Sequence, residues 1–262
     1  MKTFAIVGCG RLGGIVVKAL NEGFLPEYQL IGAYSRTYGS AAALSEGVEG
    51  CTPCATIAEL IAMKPDYIVE AASPAAMREL AVPALEAGIS IVTLSIGAFA
   101  DDEFYAEVAD AARRSAARVY IASGATGGFD VLRTTALMGQ AYGGCQARFF
   151  NEKGPNALRG TAVYDDSLQN EQRVVFEGTA REAIAMFPTK VNVTVAASRA
   201  SIGPQNLHVT MQSTPGFIGD TQKVEIRNEQ VQATVDVYSA TPEIAAWSVV
   251  AVLRNIVSPI VF

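Results

Sequence analysis

One glycine pattern and a few scattered side chains in this sequence have the types and spacing to do chemistry. The pattern is GCGRLG, in which Gly8, Gly10 and Gly13 close an apolar run at residues 3–8 and lead into a helix-like segment at 12–20. Gly8 makes the tight turn, Gly10 lets the backbone approach a pyrophosphate, and Gly13 lets a helix pack close on a strand. The helix start, with Arg11 and Leu12, presents unpaired N–H groups and the positive end of a helix dipole to such a phosphate. The next apolar run ends at Ala33-Tyr34-Ser35-Arg36, where a carboxylate for the ribose hydroxyl is missing. Ser35 and Arg36 offer a hydroxyl and a guanidinium that suit a 2′-phosphate, so the predicted cofactor is NADP, with NAD as the alternative.

Proton transfer near neutral pH first suggests histidine, and His208 is the single histidine in 262 residues. It sits in NLHVTMQ, where Leu207, Val209 and Met211 alternate with it, so the pattern places it on the polar face of a strand with Thr210 and Gln212. The expected role is structural. Cys51 and Cys54 form CTPC, a spacing used in redox and zinc sites. No second pair or suitable histidine completes a tetrahedral site, and the four cysteines read as reduced structural residues with no metal.

The elements that must carry these residues fall into two groups. Up to about residue 122, strand-like runs at 3–8, Tyr28–Tyr34, Tyr67–Glu70, 89–94 and 119–122 alternate with helical stretches at 40–44, 57–63, 74–87 and 101–115. Strands alternating with helices at this spacing make βαβ units around a parallel sheet. VEAAS and LSIGA then put Ala72, Ser73, Ser95, Ile96 and Gly97 at the carboxyl ends of parallel strands, where ligands of open α/β sheets bind. Beyond residue 123 the pattern becomes α+β. Strands at 147–150, 173–177, 207–212, 222–227 and 230–238 are expected to run antiparallel, with a hairpin turn at Asn228-Glu229 and helices at 180–186 and 191–200. A final helix at 242–257 is expected to return to the first domain. The predicted fold is therefore α/β: an N-terminal Rossmann domain with a doubly wound parallel sheet (residues 1–122 plus 241–262) and an inserted α+β substrate and dimerisation domain (123–240).

Half the residues are apolar, 18% are charged, and the net charge is −6 with a pI near 5.0. That balance argues against nucleic acid or an anionic membrane as partner and for a small-molecule substrate. No run approaches the ~18 consecutive apolar residues of a membrane span, and the short apolar N-terminus stops at a glycine turn. A cytoplasmic location is expected.

Three stretches go further. Residues 69–135 contain VEAASPAAMRELAVPALEAGISIVTLSIGAFAD and VYIASGATGGFDVLRTT, residues 177–198 read EGTAREAIAMFPTKVNVTVAAS, and the last helix ends VVAVLRNIVSPI. Together they resemble the L-aspartate dehydrogenase family over nearly the whole chain. The resemblance implies an NAD(P)-dependent enzyme that interconverts aspartate with iminosuccinate, or with oxaloacetate plus ammonia. It also implies a homodimer formed through the second domain, and cofactor contacts at Ala125 in SGATGG and Asn192 in KVNV.

The resemblance is interrupted in the substrate half. The family places its catalytic histidine in a pattern like D-P-x-x-x-x-N-x-H, and the matching TPGFIGDTQ has Thr214, Asp220 and Gln222 at the three polar positions. Gln222 can donate and accept hydrogen bonds but cannot exchange a proton near neutral pH. An expected T-R-K-P-P reads Asn151-Glu152-Lys153-Gly154-Pro155, and an expected N-P-K-T-S reads Thr241-Pro242-Glu243-Ile244-Ala245. Lys153 and Asp220 are the candidate proton-handling groups in its place, while Glu152 and Glu243 are expected to oppose a second substrate carboxylate. The function expected is hydride transfer between a nicotinamide and an amino acid or its imine. Reduction of another imine, keto acid or semialdehyde on the same fold, or a non-catalytic NADP sensor, is the alternative.

Overall fold

The computed structural model describes residues 1–187 and 191–262. Two compact units divide the chain, Met1–Gly124 with Glu243–Phe262, and Ala125–Pro242.

The first unit is built on β1 (Lys2–Val7), β2 (Tyr28–Tyr34), β3 (Thr52–Cys54), β4 (Tyr67–Glu70), β5 (Ser90–Thr93) and β6 (Val119–Ile121). They form one six-stranded sheet in the order β3-β2-β1-β4-β5-β6, with every pairing parallel. The order reverses at β1/β4, the switch point beside which doubly wound sheets bind ligands. Alternation along β1 sends Phe4 and Ile6 to one face, where they join Val16 and Val17 of α1 (Arg11–Asn21) and Val249, Val250 and Leu253 of α9 (Glu243–Val257) in one apolar cluster. Each such fully buried side chain contributes about 1.5–3 kcal/mol. The last helix thus belongs to the first unit, and the Tyr28 hydroxyl fixes it by donating to the Leu253 carbonyl at 2.7 Å. Helices α2 (Tyr38–Glu46) and α3 (Ile57–Ala62) follow β2 and β3, and the other face carries α4 (Pro74–Glu86) and α5 (Asp102–Ser115). Asp101 caps α5 by accepting from the Glu103 and Phe104 N–H groups.

Three residues of CTPC, Thr52–Cys54, form β3. Its Pro53 cannot donate to a ladder, which an edge strand tolerates. All four cysteines are free.

The second unit holds β7 (Gln146–Lys153), β8 (Arg173–Thr179), β9 (His208–Ser213), β10 (Asp220–Arg227) and β11 (Gln232–Ser239), in the order β11-β10-β7-β9-β8. The expected antiparallel pairing holds for three of the four junctions, but β7 and β9 run parallel. The long connection between them, which carries β8 and two helices, lets the chain return in the same direction. The turn after β10 has four residues: Asn228 accepts from the Gln230 and Val231 N–H groups and donates its own N–H to the Val231 carbonyl. Helices α6 (Phe129–Ala141), α7 (Ala180–Met186) and α8 (Asn192–Arg199) complete the unit, and Thr179 and Glu182 form a capping box on α7. Pro188, Thr189 and Lys190 of the FPTK segment lie outside the described residues.

Candidate active site

The glycine turn has the geometry its spacing implied. Gly8 adopts φ +105°, and a Cβ there would lie 2.7 Å from the backbone of Ala71. At Gly13 a Cβ would lie 2.0 Å from the Gly8 carbonyl oxygen, which is how the start of α1 comes so close to the end of β1. Gly10 is different, because nothing stands within 4 Å of a Cβ built on it. It is also the N-cap of α1 and supplies no side-chain cap. The first turn of α1 therefore points N–H groups into open space, a cradle that fits the pyrophosphate of a dinucleotide.

The Gly8 N–H donates to the Tyr34 carbonyl at 2.9 Å, which sets the loop against the end of β2. Ser35 and Arg36 follow directly; Arg36 is exposed and makes no ion pair among the described residues. Arg11, by contrast, pairs with Glu243 at the start of α9 at 3.0 Å. Cys9, inside the loop, is half-buried, and burial with the nearby Cys51 pushes its thiol up to about 11. It is a poor nucleophile at neutral pH.

Ala72 and Ser73 follow β4, and Ser95, Ile96 and Gly97 follow β5, all at the same edge of the sheet as the glycine loop. One residue that sequence reasoning passed over joins them. Glu70, the last residue of β4, is fully buried. Its Oε1 accepts from the Ala72 N–H (2.9 Å), the Ser73 N–H (3.0 Å) and the Ser95 hydroxyl (2.8 Å). Its Oε2 accepts from the Thr93 hydroxyl (2.6 Å) and the Ser95 N–H (3.2 Å). The sequence signal was an acid ending an otherwise apolar strand just before a Ser-Pro helix start.

Ala125 opens the second unit, in a segment where Gly124 and Gly128 both take φ +65°. Within that segment the Thr126 hydroxyl is buried and has no hydrogen-bond partner among the described residues. Asn192 is the first residue of α8.

Lys153, Asp220 and Gln222 are brought together. Asp220 pairs with Lys153 across β10 and β7, and Gln222 with Asn151, so the four side chains occupy two successive rows on one face. Asp220 Oδ1 accepts from the Asn151 amide at 2.6 Å and stands 3.8 Å from Lys153 Nζ, while its Oδ2 accepts from the Gln222 amide at 2.5 Å. Asn151 and Gln222 are 2% and 4% exposed, whereas a third of the Asp220 side chain reaches solvent. The row continues to Ser213, whose buried hydroxyl has no partner among the described residues. Gln222 thus holds a carboxylate in place.

Glu152 lies elsewhere than expected. It accepts from Thr214 Oγ1 (2.6 Å) and Gln212 Nε2 (3.2 Å), on the opposite face of the sheet from Lys153. Adjacent strand residues point to opposite faces, so Glu152 and Lys153 cannot share one pocket. His208 takes the same outer face, 3.2 Å from Glu177, apart from the Asp220 cluster.

Comparison with known proteins finds matches for both units. Residues 8–122 match the homoserine dehydrogenase NAD binding domain, and residues 136–256 match the aspartate dehydrogenase C-terminal domain. The chain is 28% identical to an L-aspartate dehydrogenase of Methanosarcina mazei and 29% to one of Methanosarcina acetivorans, each match spanning 99% of this chain and 98% of the relative. The crystal structure of aspartate dehydrogenase from Thermotoga maritima superposes with a TM-score of 0.77 at 25% identity, over 100% of this chain and 99% of that one. Over nearly its whole length the chain is similar to L-aspartate dehydrogenases.

Proposed function

We propose that the protein is an NAD(P)-dependent dehydrogenase that interconverts an amino acid and its imine, with aspartate and iminosuccinate as the first substrates to test. The observation that carries this reading is the presence, in one chain, of the uncapped helix start at Gly10 and the buried row around Asp220. When bound, the nicotinamide supplies or accepts the hydride at the substrate carbon. The residues that would hold the cofactor are Gly8, Gly10, Arg11, Leu12 and Gly13 with Ser35, Arg36, Ala72, Ser73, Ser95, Ile96 and Gly97 in the first unit, and Ala125 and Asn192 in the second. Ser35 and the exposed Arg36 support NADP over NAD.

In the second unit, Lys153 offers a cation for a substrate carboxylate. Asp220 exchanges the proton that the imine nitrogen gains or loses, a step that needs a group within hydrogen-bond reach of that nitrogen. Asn151 and Gln222 each hold one Asp220 oxygen, so the proton-transfer role of the family histidine passes to Asp220, and Gln222 becomes its positioning residue. Two-thirds burial and fixed amide partners give Asp220 the preorganisation that such a role requires. The test is Asp220→Asn against Lys153→Met. Asp220→Asn is expected to lower kcat about a hundredfold or more while leaving cofactor affinity unchanged, and Lys153→Met to raise KM for the carboxylate substrate. Wild-type kcat in Asp220→Asn would remove Asp220 from the chemistry.

We further propose a homodimer through the outer face of the second sheet, where Tyr238 and Val174 are about half exposed. The four free cysteines support a reducing, cytoplasmic compartment. No helix among the described residues is long and apolar enough to cross a membrane.

A further inference from the structure

We propose that Glu70 is the positioning residue of the cofactor cleft: a single buried carboxylate that holds the β4 and β5 loops in the conformation that receives the dinucleotide. The inference rests on the reading that the glycine loop binds a dinucleotide, and it adds a residue that this reading leaves out.

Glu70 ends β4, level with Val7 of β1 and Thr93 of β5. Val7 precedes the glycine turn, so Glu70 sits at the switch point of the sheet. Its two oxygens receive five hydrogen bonds, three from backbone N–H groups and two from hydroxyls. The backbone donors belong to Ala72, Ser73 and Ser95, which lie in the two loops placed at the cofactor cleft. Backbone bonds to the neighbouring strands end with Ala71 N–H to Val7 and Leu94 N–H to Glu70, and beyond them the carboxylate receives the N–H groups of Ala72, Ser73 and Ser95. Ser73 in turn caps α4 by accepting from the Ala76 N–H at 3.2 Å, so the start of α4 is fixed through the same group. The Ala71–Ala72 backbone is also what a Cβ on Gly8 would strike, at 2.7–2.8 Å. The contact chain therefore runs from Ser95 through Glu70 to Ala72 and on to the glycine turn, within one unit.

A purely structural carboxylate at the end of a strand does not need this arrangement. Burying an acid among apolar strands is costly unless donors surround it. An apolar residue at the end of β4 would close the core without that cost, but it would leave the Ala72 and Ser73 N–H groups unpaired and the Ser95 N–H with only Thr93 Oγ1 (2.9 Å) as acceptor. The burial is explained if loop geometry, more than stability, is what Glu70 provides.

Glu70→Gln is the sharpest perturbation, because it keeps shape and removes acceptors. A glutamine oxygen can serve the Ala72 and Ser73 N–H groups, but its NH2 then faces the Thr93 hydroxyl and the Ser95 N–H, which both donate to Oε2, and leaves the Ser95 N–H with Thr93 Oγ1 (2.9 Å) alone. The β5 loop should shift while the β4 turn stays. Thr93→Val is the milder companion: it removes the hydroxyl that donates to Oε2 and accepts from the Ser95 N–H, and no residue assigned to the cleft.

The experiment is fluorescence titration of NADPH and NADH into wild type, Glu70→Gln and Thr93→Val, with thermal melts of each protein with and without NADPH. The expected result is a Kd about tenfold or more higher in Glu70→Gln, a smaller rise of the same sign in Thr93→Val, and a matching loss of the cofactor-induced rise in Tm. If Glu70→Gln does not fold, the rise in Kd for Thr93→Val carries the test. Variants that melt lower but bind both cofactors within about twofold of wild type would make Glu70 merely structural and overturn the proposal. Wild-type protein that binds neither cofactor would overturn the dinucleotide reading itself, and the positioning role with it.

Discussion

The glycine turn makes two opposite predictions from residues three positions apart. In Gly13→Ala the new methyl group would sit 2.0 Å from the Gly8 carbonyl oxygen and 3.2 Å from Ile6 Cδ1. The nearer obstacle is backbone, so α1 must move off the sheet. Such overpacking costs about 1–3 kcal/mol and sometimes more. At roughly 2–4 °C per kcal/mol for a chain of this size, Tm should fall by several degrees. In Gly10→Ala the methyl group meets nothing within 4 Å, and φ −86° is open to any residue. Only the small difference between glycine and alanine as N-cap remains, about 0.5–1 kcal/mol. The same methyl group fills the space a pyrophosphate would take, so affinity should fall about tenfold or more. Urea unfolding gives stability, and quenching or enhancement of fluorescence on adding NADPH gives affinity. The reasoning is refuted if Gly10→Ala binds NADPH as wild type does, or if it is destabilised as much as Gly13→Ala.

Three more outcomes follow from other parts of the molecule. Arg36→Ala should weaken NADPH about fivefold, as an exposed charge-assisted contact would, and leave NADH unchanged; an equal effect on both cofactors argues against a 2′-phosphate contact. Tyr28→Phe removes the hydroxyl that ties β2 to the Leu253 carbonyl and should cost about 1–3 kcal/mol in urea unfolding, without changing cofactor affinity. Burial holds the Cys9 thiol protonated up to about pH 11, whereas the unfolded thiol ionises near 9.0. The folded state then keeps a proton that the unfolded state loses, so this contribution is complete below pH 9 and disappears as pH rises through about 11. Melting curves across that window should fall more steeply in wild type than in Cys9→Ser.

What was legible in the sequence follows from how local each signal is. The close packing of Gly8 on Ala71 is not local, but GCGRLG names its own turn, because the approach of Gly13 to the Gly8 carbonyl lies within a few residues. The alternation of strand and helix up to residue 122 named the parallel sheet for the same reason. The parallel pairing of β7 with β9 was not legible, since it depends on which strand fills the place between distant segments. Glu70 was hidden because its partners, Thr93 and Ser95, are 23 and 25 residues away. The face of Glu152 was readable from alternation alone, as the neighbour of Lys153, and was misread because the two were compared as a motif. Gln222 shows the reverse case. The family pattern located it, but only the rows across β10 and β7 showed that its amide holds Asp220.

The central claim is that this chain catalyses nicotinamide-dependent interconversion of an amino acid and its imine. The most direct measurement is oxidation of NADPH and of NADH by wild-type enzyme at high concentration, with oxaloacetate and a panel of other 2-oxo acids, each with and without ammonia. The account predicts oxidation that requires ammonia, favours NADPH, and is lost in Asp220→Asn. Tight cofactor binding with no ammonia-dependent oxidation for any 2-oxo acid would contradict it.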